Sequence, residues 1–241
     1  SMRFDGDGRL WLCETLDYPN ELQPAGQGRD RLRVLIDEDG DGAYEKDVVY
    51  ADKLSIPTSV CFVPEGVIVQ QAPHTLLLVD RDGDLVCDER RVLFSGWGTG
   101  DTHAGPSNLQ LGFDGWVWGC VGYSGFAGEV GGKPMSFGQG VYRFRRDGSE
   151  LQFLGSTTNN TWGFGLSEEG EAFLSTANHD VLMHLSLPNP LKEQVKGVRA
   201  RAVETIYTYE RMHPVTSAVR QVDWFGLYTA AAGARVYTHR L

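Results

Sequence analysis

At 241 residues, with 41% hydrophobic and 11% aromatic residues and 30 glycines, the chain can bury a large core and suits many short strands with tight turns better than helices. A formal charge of −10, with no basic cluster larger than Arg143, Arg145 and Arg146, argues against binding along a nucleic-acid backbone. No apolar run approaches the ~20 residues that a membrane-spanning helix requires, so no transmembrane segment is expected.

Taken in order, the chain repeats one pattern: an apolar residue, a short acidic or glycine turn, then an apolar strand. Ser1-Met2 reads as a scar on a shortened start, ahead of strand-like sequence. The pattern then occurs as FDGDGRLWLCE (4–14), FVPEGVIVQ (62–70), LGFDGWVWGC (111–120), FGLSEEGEAFLST (164–176) and VDWFGLYTAA (222–231). Its turn glycines, Gly8, Gly66, Gly115, Gly170 and Gly226, recur at intervals of roughly 50 to 60 residues, a period that marks repeat architectures. Between these units lie further strand pairs with hairpin signals, at 31–51, 75–95, 140–155 and 181–209. Two hairpins per repeat make four strands, the blade of a β-propeller; a β-sandwich is the next-best reading. The expected fold is therefore all-β, a single propeller over 1–241, with blades at about 2–51, 58–95, 107–155, 162–209 and 217–241. The last of these is only half a blade. A ring must close to remove its sheet edges, so the chain reads as an incomplete propeller or one that closes in another way.

Blade logic sorts the connections onto two faces. One face collects the tight turns; the other collects the long loops 15–30, 71–74, 121–139 and 177–180, and 52–59, 96–107, 156–163 and 210–217. The long-loop face carries His74, His103, His179 and His213, with Asp17, Tyr18, Asp101, Tyr123, Asn160, Asn178 and Asp180. Titratable and polar groups gathered on long loops at one mouth are where a pocket is expected. Within that set, the G-D-T-H loop offers the clearest chemistry: His103 can take a proton from a hydroxyl near neutral pH, and Asp101 can orient it. A loop histidine that only hydrogen-bonds a strand end is the plainer alternative.

On the other face, Asp37-x-Asp39-x-Asp41-Gly42 with Glu45 places oxygen ligands as a Ca²⁺ loop does, and Asp80, Asp82, Asp84 and Asp88 repeat the spacing. Neither loop has the bidentate Glu expected at position 12, where Val48 and Arg91 stand, and Leu85 replaces the glycine of the second. An acidic turn without metal is the alternative for each. The four cysteines, Cys13, Cys61, Cys87 and Cys120, have no metal-site spacing; buried free thiols are expected, with one disulfide as the alternative.

Four segments, GRLWLCETLDYPN, IDEDGDGAYEKDVVYAD, WGTGDTHAGPSNLQLGFDGWVWGCVGY and NNTWGFGLSEEGEAFLST, together resemble the propeller domain of membrane-bound dehydrogenases found in planctomycete-type bacteria. More distantly they resemble the soluble quinoprotein glucose/sorbosone dehydrogenases. The resemblance implies a six-bladed propeller, export to the periplasm or the cell exterior, and oxidation of a sugar or alcohol with pyrroloquinoline quinone. It also implies a separate electron-acceptor domain or protein. His103 matches the family's general base, and Asn160 falls where the quinoprotein enzymes contact the quinone, with Asp17, Tyr18 and Tyr123 as further cofactor-binding candidates. The family's Arg and Pro beside that asparagine are here Asn159 and Thr161.

Two other readings stay open. One is a non-catalytic propeller that binds a glycan or a protein through Tyr18, Tyr123, Phe126 and Trp162; the other is a metal-dependent propeller lactonase or hydrolase.

Overall fold

The computed structural model describes residues 1–207, 211, 227–229, 231 and 233–237. The fifth repeat (222–231) and the loop holding His213 therefore lie almost wholly outside the described residues.

The fold class is the expected one. Four antiparallel four-stranded sheets follow one another along the chain, each a simple meander. The first contains β1 (Met2–Phe4), β2 (Leu10–Glu14), β3 (Asp30–Ile36) and β4 (Lys46–Leu54); the second contains β5 (Ser59–Val63), β6 (Gly66–Gln71), β7 (His74–Val79) and β8 (Glu89–Ser95). The third is built from β9 (Pro106–Leu111), β10 (Trp116–Val121), β13 (Gly140–Arg145) and β14 (Leu151–Ser156). The fourth is built from β15 (Thr161–Leu166), β16 (Ala172–Thr176), β17 (Leu182–Leu185) and β18 (Val203–Tyr207). The first strands neighbour one another in series, β1 with β5, β5 with β9 and β9 with β15, which is how propeller sheets stand around an axis.

The core lies between the sheets, and strand periodicity explains it. In β10 every residue of WVWGCV is buried: Val117 and Val121 enter the layer shared with the second sheet, while Trp116, Trp118 and Cys120 enter the layer shared with the fourth. Likewise Ile68 of β6 faces the third sheet, and Val67 and Val69 face the first. A strand covered on both faces reads as a continuous apolar run rather than an alternation, because successive side chains point to opposite faces. One buried polar chain crosses between sheets: Trp97 Nε1 donates to Thr75 Oγ1 (2.9 Å), Thr75 to Gln70 Oε1 (2.9 Å), and Gln70 Nε2 to Tyr142 Oη (2.8 Å). Each member has a partner, so the burial costs little.

The repeat's turn is a physical unit. Gly8, Gly66, Gly115 and Gly170 all have positive φ, 83°, 143°, 75° and 84°, where an L side chain is strained. In the third sheet Asp114 caps the turn, accepting from Trp116 N (3.1 Å) and from the Trp118 indole (3.1 Å). In the first, Asp5 accepts from the Trp11 indole (2.8 Å) in the same way.

Segment 121–139 differs from expectation. Instead of a plain loop it holds a two-stranded hairpin, β11 (Phe126–Val130) and β12 (Lys133–Phe137), turning at Gly131-Gly132, both with positive φ. Its apolar side packs on Trp97 and β8, and Phe126 is 3% exposed. Phe126 is thus a core residue, not one available to stack on a sugar. All four cysteines are free thiols; Cys13, Cys61 and Cys120 are buried, and burial pushes each thiol up to about 11. No helix among the described residues is long and apolar enough to cross a membrane.

Candidate functional site

The G-D-T-H loop is held from both ends. Trp97, 2% exposed, anchors its start in the core, and Gly98 N donates to Gly125 O (3.1 Å). Residues Thr102–Ala104 then form a single 3-10 turn, which Asp101 caps: its Oδ1 accepts from His103 N (2.9 Å). Ser124 clamps the turn from the hairpin side, with its hydroxyl on Asp101 O (2.6 Å) and its N–H on Ala104 O (3.1 Å). From the first sheet, the loop 15–29 meets it where Thr102 Oγ1 donates to Pro19 O (2.6 Å).

These bonds place His103 Nδ1 3.2 Å from Asp101 Oδ1. Both side chains are about half exposed, at 58% and 49%. A proton on Nδ1 shared with the carboxylate leaves the Nε2 lone pair free to act as a base. Tyr18 stands edge-on to the imidazole, ring centroids 5.2 Å apart. A cavity of about 210 Å³ opens beside them, lined by Pro19, Asn20, Leu22, Thr99, Thr102 and His103 among others.

The loop carrying Tyr18 is fixed by two buried carboxylates. Asp30 Oδ1 accepts from Leu16 N (2.6 Å) and Asp17 N (3.0 Å), and its Oδ2 from Thr15 Oγ1 (2.8 Å) and Ile56 N (2.5 Å). Asp17, fully buried, takes Arg29 Nε on Oδ1 (2.6 Å) and Arg29 N on Oδ2 (3.1 Å). Burial pushes the Asp17 carboxyl up, but the bonds from Arg29 outweigh it and hold the group below its ordinary value. Asp17 therefore supports the loop from within, with both oxygens engaged. Asp30 carries as much of this scaffold and has no local signature in the sequence, being one more acidic residue at the start of a strand.

The other candidates are spread over the same face. Tyr123 is 54% exposed and its hydroxyl donates to Asn159 Oδ1 (2.5 Å). Asn160 lies behind the His103 turn: a Cβ on Gly122 would sit 1.7 Å from Asn160 Oδ1 and 2.9 Å from Ala104 Cα. That Oδ1 is shielded from solvent and has no hydrogen-bond partner. His74 Nδ1 pairs with Ser95 Oγ (2.7 Å), Asn178 Oδ1 accepts from Thr229 Oγ1 (2.6 Å), and Asp180, buried, bonds the hydroxyls of Thr158 and Thr205.

Both acidic turns lie at the far ends of their sheets. Strand register puts the 37–45 turn opposite the 15–29 loop across β3, away from His103. The carboxylates of Asp37, Asp39, Asp41 and Glu45 all lie within 4.8 Å of one another, as do those of Asp80, Asp82 and Asp88. Asp84 falls outside the second group, its Oδ1 accepting from Val86 N (2.8 Å). The two loops fold alike: Asp37 bridges Gly40 N and Gly42 N, and Asp80 bridges Gly83 N and Leu85 N. Leu85 adopts φ 68°, the left-handed conformation that Gly42 takes in the first loop. The oxygen-only donor sets fit a hard cation such as Ca²⁺, more fully in the first turn than in the second.

A tricarboxylate quinone fits less well. No Lys or Arg is among the residues lining the cavity beside His103, so the described residues there offer no cation to its carboxylates.

Among solved structures, a gluconolactonase from Xanthomonas campestris is 19% identical over 73% of this chain and 52% of its own, with a TM-score of 0.49. A protein of unknown function from Bacteroides thetaiotaomicron is 12% identical over 98% of this chain and 53% of its own, with a TM-score of 0.54. The PQQ-bound aldose sugar dehydrogenase from Streptomyces coelicolor is 12% identical over 98% of this chain and 70% of its own, with a TM-score of 0.52. The chain thus spans about half the length of the first two. At these identities the likeness to the Bacteroides and Streptomyces proteins is one of fold. No curated protein matches the sequence. One family model matches the chain from end to end, residues 1–241, and the protein belongs to that family, a domain of unknown function designated DUF7133.

Proposed function

We propose that this chain forms the base-bearing part of a propeller enzyme that acts on a small hydroxylated molecule, a sugar or an alcohol. The observation that carries the reading is the His103–Asp101 pair, 3.2 Å apart, beside a cavity and against Tyr18. In this reading His103 Nε2 takes the proton of a substrate hydroxyl as its oxygen becomes the reacting centre. Asp101 holds the imidazole by Nδ1, which orients Nε2 toward the substrate. Tyr18 supplies an apolar wall on which a sugar ring can rest.

The fold of the Streptomyces aldose sugar dehydrogenase supports a dehydrogenase reading, in which an external two-electron acceptor would take the hydride of the carbinol carbon while His103 takes the hydroxyl proton. The cavity lining does not supply the cations that a quinone's carboxylates need. A lactonase would use the same base on water, which keeps both chemistries in the test. The proposal carries with it a periplasmic or extracellular location, tested by fractionating cells that make the full-length protein.

The experiment screens the chain with aldoses, alcohols and sugar lactones, following reduction of an artificial acceptor with and without added quinone, and proton release for the lactones. A substrate is expected whose turnover falls by roughly 10²–10⁴ in His103→Ala, the usual share of a general base. Turnover unchanged by that substitution sinks the proposal, and saturable sugar binding without turnover of any substrate moves the face to the glycan-binding reading.

A further inference from the structure

A cavity of about 510 Å³ lies at the opposite end of the inner strands from His103. Register places it there: it is lined by Phe4, Phe62 and Gln110, near the turn ends of β1, β5 and β9, whereas the His103 loop enters β9 at Pro106. Two arginines reach it from the two ends of the chain, Arg3 and Arg235. Arg3 belongs to β1 and donates from Nη2 to Leu109 O (2.5 Å). Arg235 arrives on segment 233–237, which lies over β15 because Gly163 and Gly165 have no side chains. A Cβ on the first would meet Ala234 Cβ at 2.7 Å, and one on the second would meet Val236 N at 2.9 Å.

In a chain of formal charge −10, Arg9, Arg29, Arg33, Arg90 and Arg143 each pair with a carboxylate, whereas among the described residues the two arginines of this cavity, like Arg31, Arg199 and Arg201, do not. Among the described residues neither Arg3 nor Arg235 has a carboxylate within ion-pair distance, and no Asp or Glu lines the cavity. Burial, and to a lesser degree the charge of Arg235, holds the Arg3 guanidinium below its ordinary value. A guanidinium remains charged in such a setting and presents a planar fork that matches a carboxylate or phosphate. The volume is in the range of small-molecule sites, and its rim is apolar, with Met2, Phe4 and Leu111 all exposed.

We infer that this cavity binds a small organic oxyanion, a carboxylate or a phosphate ester, held between Arg3 and Arg235. The ligand supplies the negative charge that the protein leaves out, and its carbon body meets the apolar rim. Because the two arginines come from opposite ends of the described chain, a bound oxyanion also ties segment 233–237 to β1.

Isothermal titration of the full chain with inorganic phosphate, with succinate and with glycerol, at low ionic strength, tests this. Saturable binding of phosphate or succinate, and none of glycerol, is expected; the tighter of the two assigns the ligand to phosphate esters or to carboxylates. Arg235→Gln, which removes no ion pair, is expected to weaken that binding at least about tenfold. Arg3→Lys keeps the charge but not the fork and is expected to weaken it less, while His103→Ala leaves it unchanged. Absence of saturable binding by both anions overturns the inference, as does equal affinity in a folded Arg235→Gln variant.

Discussion

Asp30→Asn tests how the candidate site is built. The carboxylate is fully buried and accepts four hydrogen bonds, two on each oxygen, from Leu16 N, Asp17 N, Thr15 Oγ1 and Ile56 N. An asparagine of the same shape can keep its oxygen on Leu16 and Asp17, but those bonds lose their ionic character. The Thr15 hydroxyl can turn to accept from the new amide; the Ile56 N–H cannot, and is left facing another donor. Bonds to a charged group contribute about 1.5–3 kcal/mol each against about 1 for neutral ones, and a stranded buried N–H costs about 1–3, so the substitution should destabilise by roughly 3–5 kcal/mol. That is a large fraction of the about 5–15 kcal/mol that holds a domain together. The assay is urea unfolding followed by tryptophan fluorescence, comparing midpoints at equal slope. A loss below about 1 kcal/mol would refute the view that this one carboxylate pins both the 15–29 loop and the start of the second sheet.

The remaining predictions concern the site and its surroundings. Asp101→Asn keeps an acceptor for His103 N but removes the charge behind the imidazole, so turnover of any identified substrate should fall roughly tenfold or more with little change in melting temperature; a large melting shift without loss of turnover would make Asp101 a cap alone. Gly122→Ala drives a methyl into Asn160 Oδ1 and the Ala104 backbone, and should cost about 1–3 kcal/mol while displacing the His103 turn, read as a lowered melting temperature and weakened activity together. The Asp17 carboxyl sits below its ordinary value when folded, so its stabilisation is complete above an ordinary Asp pKa of about 4 and fades as pH falls through the lowered folded value; urea midpoints at pH 7, 4 and 3 should fall across that window, and less steeply in Asp17→Asn. Calcium in millimolar excess over chelator should raise the melting temperature by several degrees, at about 2–4 °C per kcal/mol of binding linkage, and Asp37→Asn with Asp39→Asn should abolish the rise; no shift in the parent protein would leave the first acidic turn a plain turn.

The propeller was legible because its signals are local. A turn glycine at positive φ, an aspartate a few residues before the indole it accepts from and a doubly buried strand such as WVWGCV are each decided within about ten residues, and their recurrence reveals the repeat. The same locality made the hairpin at 126–137 easy to miss. Its Gly131-Gly132 turn is a signal, but the alternation around it is short, and only packing on Trp97 shows that Phe126 belongs to the core.

The sequence by itself determined the all-β repeat and the placing of His103, Asp101 and Tyr18 among the long loops, and left the cysteines between free thiols and a disulfide. Tertiary structure alone decided which of those groups meet: the imidazole beside Asp101 and the Tyr18 ring, the Asp17 carboxylate spent on Arg29, and Arg3 sharing a cavity with Arg235 from the far end of the chain. The physical reason is that periodicity and turn chemistry depend on neighbours along the chain, whereas the partner of a charged or polar group depends on which loops the sheets bring to one end. For this protein those partners separate the residues that hold a loop in place from those left with chemistry to do.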